Sequence, residues 1–247
     1  MTTKATFSDL HRPGEPLLLY NAWDIGSAKA IAAAGAKAIA TGSLSLAGAQ
    51  GYDDGEQMPL DILLNIAARI VAAVDVPVSI DFEGGYATDP DQLASHAQML
   101  ADTGAVGCNF EDRRIHADGL YDIREQVQRI EAMASSGLFV NARTDLFLEE
   151  MMAGENANEA TLVDAALERS AAYAEAGASS FFAPALSDLT LIARLCEGSE
   201  LPINVMMLDG GPSVEELASC GVARISWGPG PWRAAMARVT DEARAIL

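Results

Sequence analysis

The chain is short of basic residues, cysteine and long apolar runs, and each shortage removes a class of function. Its 247 residues carry 16 Lys and Arg against 35 Asp and Glu, a formal charge of −19. A surface of that sign repels polyanions, so nucleic acid and anionic membrane are excluded as partners. The three cysteines, Cys108, Cys196 and Cys220, are scattered with no CxxC pair. That fits a reducing cytoplasm and neither a disulfide frame nor a zinc site. No stretch holds the ~18 uncharged apolar residues of a membrane span, and residues 1–7 lack the apolar centre of a secretion signal. Walker-type loops, GxGxxG and a Ser/His/Asp set with a nucleophile elbow are missing as well.

Half of the residues are hydrophobic, enough for a sizeable core. A phrase repeats along the chain: an Ala-rich helical segment, a Gly or Pro, a short apolar strand, then polar residues. Gly35, Gly104, Gly137, Gly177 and Gly221 stand where helices stop, the place where a left-handed residue is favoured. Pro77 and Pro202 start two further strands. Eight strands are predicted, at about 17–22, 37–41, 77–83, 106–111, 138–143, 179–184, 202–207 and 223–227. Helices fill the gaps at about 25–34, 60–73, 90–103, 122–136, 159–176, 187–197, 213–219 and 231–246. Asp89-Pro90 and Pro212-Ser213 mark two of their starts. Eight consecutive βα units with no linker or composition break predict a single-domain (β/α)8 TIM barrel over residues 1–247; an open doubly wound sheet is the competing topology. The longest connections, 42–59, 112–121 and 145–158, read as functional or mobile loops.

Barrel chemistry gathers at the C-terminal strand ends. Asp81 and Glu83 sit two apart at the third, on one face, followed by Gly84-Gly85. Two adjacent carboxylates need a cation or a proton between them. Period-two alternation puts Asn109 with Glu111, and Asn141 with Arg143 and Asp145, on single faces, and turns Cys108 and Phe110 toward the helices. Asp81, Glu83 and Glu111 then converge on one hard cation, and all-oxygen ligands favour Mg2+ or Mn2+ over zinc. Asp54 is placed as an outer member of that set. Arg143 suits bidentate capture of a substrate carboxylate, with a salt bridge to Glu111 or Asp145 as its plainer role. His116 is the titratable group near neutrality in the loop after Glu111, a candidate general acid or base against the reading of a solvated loop histidine. The stretch 226–231 is Gly-rich and opens a helix, but its prolines lack the amide donors of a phosphate site.

Five phrases in register with strand ends resemble the isocitrate lyase/phosphoenolpyruvate mutase superfamily: Asn21-Ala22-Trp23-Asp24, Thr41-Gly42-Ser43 with Gly51-Tyr52-Asp53-Asp54-Gly55, Asp81-Phe82-Glu83-Gly84-Gly85-Tyr86, Gly107-Cys108-Asn109-Phe110-Glu111-Asp112, and Asn141-Ala142-Arg143. The resemblance implies Mg2+ bound directly by Asp81, with Asp54, Glu83 and Glu111 acting through waters. It implies a small 2-oxo or 2-hydroxy carboxylic acid as substrate, its carboxylate held by Arg143 and by amides at Ser43 and Leu44, with Asn204 nearby. The implied activity is a lyase cleaving a C–C bond through a metal-stabilised enolpyruvate-like anion, as an oxaloacetate decarboxylase or methylisocitrate lyase does. C–P chemistry on phosphonopyruvate and a barrel that binds 2-oxo acids without turnover are the alternatives. The loop after Glu111 departs from the family: its Lys and Cys positions fall on Ala117 and Gly119, and the phosphonomutase Lys and Asn-Ser are absent. A cytoplasmic homo-oligomer, dimer or tetramer, is expected, without full exchange of a C-terminal helix.

Overall fold

In this computed structural model residues 4–247 are described. A short helix α1 (Lys4–Ser8) leads into β1 (Leu17–Leu19), α2 (Ile25–Ala33), β2 (Ile39–Ala40), α3 (Ser43–Ala49), α4 (Leu60–Ala73) and β3 (Val78–Asp81). There follow α5 (Pro90–Asp102), β4 (Gly107–Glu111), α6 (Ile123–Ala134), β5 (Phe139–Arg143), α7 (Leu146–Ala153) and α8 (Ala160–Glu175). The chain ends with β6 (Ser180–Ala183), α9 (Leu189–Gly198), β7 (Ile203–Met206), α10 (Val214–Ser219), β8 (Arg224–Ser226) and α11 (Gly230–Arg244). Every ladder is parallel, in the order β1-β8-β7-β6-β5-β4-β3-β2. A single parallel bridge, Ala22 to Thr41, with the Ala22 amide on Ala40 O at 2.8 Å, brings the two end strands together. The eight-unit barrel expected from the repeat is present, and no helix among the described residues is long and apolar enough to cross a membrane.

Alternation along the strands divides the molecule in two. Ile80, Cys108, Phe110, Val140, Ala142, Phe181, Ala183, Val205 and Ile225 face outward and are buried with the helix residues Leu93, Leu100, Ile130 and Met133. Each large apolar side chain removed from water this way contributes about 1.5–3 kcal/mol. Their inward neighbours are polar: Asp81, Asn109, Glu111, Asn141, Asn204 and Arg224 are all buried. Helix ends follow the expected signals. Asp89 caps α5 through Gln92 N with Pro90 at its first turn, Ser213 and Glu216 form a capping box on α10, and the five helix-stopping glycines take φ between 80° and 95°.

Three helices lie where loops or no element had been expected. α3 and α7 occupy the connections after β2 and β5, and α1 precedes the first strand. Each is short, and α3 carries Gly48 where the Trp232 ring comes so close that an added Cβ would stand 2.9 Å from it. α1 seals the N-terminal end of the barrel. Its Phe7 packs edge-on against Phe139 at 5.0 Å, within a cluster completed by Leu17, Leu19, Ala38, Ala40 and Val106. His11 stacks on the same Phe139 ring at 4.4 Å and its Nδ1 meets Phe7 O at 2.9 Å. By contrast α11 buries only Pro231. Its Val239 is 60% exposed, and the outer face of β1 leaves Leu18 43% exposed.

Burial, then the Arg224 cation, lowers the His11 pKa to about 3. Below about pH 6.5 the unfolded chain takes up a proton at His11 that the folded chain refuses until pH nears 3, so stability is lost as pH falls through that window. At pH 5 the loss is about 2 kcal/mol. Urea unfolding at pH 7 and pH 5 should show wild type losing about that much more than His11→Leu, and equal losses would place the burden elsewhere.

Candidate active site

The acidic residues picked out at the strand ends come together at the C-terminal mouth. Asp81 closes β3, and its Oδ2 accepts the Ser43 amide, first in α3, at 2.9 Å. Its own amide donates to Thr41 Oγ1 at 2.9 Å. Oδ1 is buried with no hydrogen-bond partner, an arrangement costly for a carboxylate unless a proton or cation meets it. Burial raises the Asp81 pKa, and the Asp54 charge adds to the rise against Arg143 and the Ser43 amide. Glu83 is pushed up to about 8 by burial, then by Asp54 and Asp81. Glu111 is raised far above the carboxylate range by burial, with the Arg143 cation opposing and Asp145, Asp81 and Glu83 reinforcing. Asp54, exposed on the loop after α3, acts on this set through its charge.

Those carboxylates fit a hard cation. The donors are all oxygen, one is an orphan, and each disfavours the charge of the next. Among the described residues no three His, Cys, Asp or Glu side chains close directly around one ion. That spacing suits a cation keeping several waters, with one carboxylate touching it and the others holding its water shell.

Arg143 ends β5, gives two of its five N–H donors to Asp145 and forms an ion pair with Glu111. Nε and Nη2 meet Asp145 Oδ1 and Oδ2 at 2.5 and 2.9 Å, and Nη1 meets Glu111 Oε2 at 3.0 Å. The second N–H of Nη2 and the N–H groups of Nη1 make no hydrogen bond to the described residues, and one from each nitrogen forms a pair that a carboxylate can take bidentately. Both roles read for Arg143 are thus compatible in one side chain. The Ser43 amide is occupied by Asp81, whereas the Leu44 amide, second in α3, has no acceptor within the helix.

Asn204 lies away from this mouth, while His116 stands on the loop after β4. Asn204 is fully buried: its oxygen accepts from Asn141 Nδ2 at 2.9 Å and its amide donates to Val205 O at 2.8 Å. It belongs to a polar layer inside the barrel with Asn109, Asn141 and Ser180. His116 has a 68% exposed side chain, and its Nε2 lies 3.5 Å from Glu56 Oε2. Cys108 is in the core with its pKa pushed up to about 12 by burial, an inert thiol as expected. The Gly-rich loop after β8 gives its Trp227 and Gly228 amides to Asn21 Oδ1, both at 2.9 Å.

Three groups were not foreseen. Glu56 locks two loops together, since its amide donates to Glu83 Oε2 at 2.8 Å while its Oε1 accepts the Tyr86 amide at 2.8 Å. Glu56, Glu83 and Tyr86 all take positive φ, 57°, 50° and 60°, a conformation that strains any residue with a Cβ. Gly84 fits this corner because an added Cβ would stand 3.0 Å from Glu56 Oε1. The acidic residue following Gly55 was the only signal. Arg224, also missed, is fully buried inside the barrel, donating to Asn109 Oδ1 at 3.0 Å with Nε and Nη1 unpartnered. Its sign was an arginine at an inward position of an apolar strand. The third is Asp112 with Arg169 and Tyr173, a buried set behind the mouth. A cavity of about 610 Å³ opens beside Glu56, Gly84 and Tyr86, walled by Arg113, His116 and Tyr121 of the loop after β4.

A family profile described as phosphoenolpyruvate phosphomutase matches residues 7–247. An uncharacterized protein of Mycobacterium tuberculosis is 32% identical over 98% of this chain and 88% of its own. The 2-methylisocitrate lyase of Salmonella typhimurium is 28% identical over 96% of this chain and 85% of its own. A crystal structure from Burkholderia cenocepacia, provisionally described as a phosphonomutase, superposes with a TM-score of 0.93 at 43% identity, covering 98% of this chain and 99% of that one.

The raised Glu83 pKa sets a pH dependence. The folded state favours protonated Glu83 up to pH about 8, while the unfolded chain releases that proton near pH 4.5, so stability is lost as pH rises between the two. In thermal melts from pH 5 to 8 without divalent cations, Glu83→Gln should lose less on going to pH 8 than wild type does. Millimolar Mg2+ should restore wild type most at pH 8, and a wild-type melt indifferent to both pH and Mg2+ would contradict this electrostatic account.

Proposed function

Because the chain belongs to the phosphoenolpyruvate phosphomutase family, within the isocitrate lyase/phosphoenolpyruvate mutase superfamily, we propose that it is a carbon–carbon lyase of small 2-oxo or 2-hydroxy carboxylic acids. The reaction passes through an enolpyruvate-like anion. The observation that carries this reading is the orphaned Asp81 Oδ1 among buried carboxylates, facing an arginine with two N–H groups to spare.

Asp81 would hold Mg2+ or Mn2+ directly, with Glu83, Glu111 and Asp54 on its waters, and the ion supplies positive charge where a substrate oxygen becomes anionic. Arg143 takes the carboxylate of the 2-oxo acid through the Nη1 and Nη2 hydrogens left over from Glu111 and Asp145. The Leu44 amide at the start of α3 is a second donor for that carboxylate. Asp145 and Glu111 hold the guanidinium in one orientation, so little rotamer freedom is lost on binding. The cavity beside Glu56 is walled by the loop after β4. His116, with Nε2 toward Glu56, is the candidate general acid or base of that wall. With Ala117 and Gly119 where relatives of the lyase type carry Lys and Cys, loss of CO2 from an oxaloacetate-like acid fits best, since it creates the anion without a base. The 43% identity to the provisional phosphonomutase favours C–P chemistry as a second reading.

Pyruvate release from oxaloacetate, 2-methylisocitrate, 2,3-dimethylmalate and phosphonopyruvate with Mg2+ distinguishes the readings. Release from a C–C substrate above the uncatalysed rate is expected, release from phosphonopyruvate alone would move the assignment to C–P cleavage, and oxalate binding with no turnover would leave a binding protein. Asp81→Ala should abolish Mg2+-dependent oxalate binding by calorimetry, and unchanged binding would sink the metal assignment.

A cytoplasmic homo-oligomer belongs to the same proposal. α11 leaves Met236 and Val239 in water, and β1 with the residue after it leaves Leu18 and Tyr20 uncovered, apolar surface that a second copy would bury. Light scattering should give a dimer or tetramer mass, and Val239→Glu with Met236→Glu should lower it. A wild-type monomer at micromolar concentration would refute the assembly.

A further inference from the structure

Behind the acidic mouth a second buried network runs from α8 to Arg143, and none of its outer members faces the site. Arg169 Nη1 donates to Asp112 Oδ2 at 3.0 Å, to Tyr173 OH at 2.8 Å and to Tyr121 O at 3.1 Å. Tyr173 OH donates to the same Asp112 Oδ2 at 2.9 Å. The other oxygen, Asp112 Oδ1, accepts the Asp145 amide at 2.9 Å. Asp145 heads α7, yet its side chain caps nothing in that helix. Both its oxygens are committed to Arg143.

We infer that Arg169 is a positioning residue that sets Arg143 for carboxylate capture through Asp112 and Asp145. The inference rests on the proposed role of Arg143 and extends it by three residues. Asp112 has no exposed surface, so its charge persists there only while donors surround it. Arg169 and Tyr173 supply those on one oxygen, which frees the other to fix the backbone of Asp145. The Asp112 amide also donates to Arg143 O at 3.0 Å, so the strand end is held at two points. The same arginine grips the foot of the loop after β4. Tyr121 O accepts from Arg169, and the Tyr121 amide donates to Asp112 O at 2.8 Å. One cation thus fixes the carboxylate-binding arginine and both ends of the cavity wall.

The test measures oxalate binding to the Mg2+-loaded full chain by calorimetry, alongside thermal melts. Arg169→Met should weaken oxalate about 10-fold, and Tyr173→Phe, which keeps the ring in the core, about threefold. In the Arg143→Met background, Arg169→Met should weaken oxalate no further, because the side chain it orients is gone. A merely structural arginine would lower the melting temperature and leave the dissociation constant within twofold of wild type, and that result, in either the Arg169 or the Tyr173 variant, would overturn the inference. If Arg143→Met itself binds oxalate as wild type does, the proposed role of Arg143 fails first, and this inference with it. If Arg143→Met loses binding while Arg169→Met keeps it, only this inference fails.

Discussion

Burying several carboxylates at one barrel mouth is the constraint on which the rest of this molecule depends. Asp81, Glu83 and Glu111 are each nearly out of water, and each raises the cost of ionising its neighbours. The surrounding structure divides the load. Arg143 compensates Glu111, the Ser43 amide compensates one oxygen of Asp81, and the Glu56 amide compensates Glu83. What remains without a hydrogen-bond partner, Asp81 Oδ1, is what gives the site its character. A barrel is well suited to this, because strands locked in parallel register cannot drift apart to relieve the repulsion.

The fold was legible because barrel strands announce themselves twice, by apolar residues facing helices and by helix stops before them. Gly104 before β4 and Gly177 before β6 are such stops. The elements that escaped notice, α1, α3 and α7, are five to eight residues long, too short for a 3.6-residue period to show. α3 also carries two serines and a glycine among its seven residues, and Gly48 is there for the Trp232 ring, a contact between residues 184 positions apart. Packing of that kind overrides propensity and leaves no local trace.

At the site, residues whose chemistry lies in their own local phrase were readable: Asp81, Glu83, Glu111 and Arg143. Residues defined by what they touch across the chain were not. Asn204 was expected at the mouth and is bonded to Asn141 in the layer within. Arg169 and Tyr173 look like ordinary members of an amphipathic helix, and only the fold reveals that they meet Asp112 some sixty positions earlier. Asp112, directly after Glu111, looks like one more acid at the strand end. Burial separates the two: Glu111 meets Arg143 at the mouth, and Asp112 turns back into the helix layer.

The corner formed by Glu56, Glu83 and Tyr86 has a further consequence. Three residues with side chains hold left-handed backbone conformations there, each at roughly 1–2 kcal/mol against an unstrained alternative. Glycine would relieve the strain at any of them, yet each side chain is tied to this corner, Glu83 to the acidic set, Glu56 to the Tyr86 amide, Tyr86 to Glu83. Selection for thermal resilience and selection for catalysis therefore pull in opposite directions at these three positions. Descendants of this sequence that drift toward glycine there would be sturdier proteins with a poorer acidic mouth.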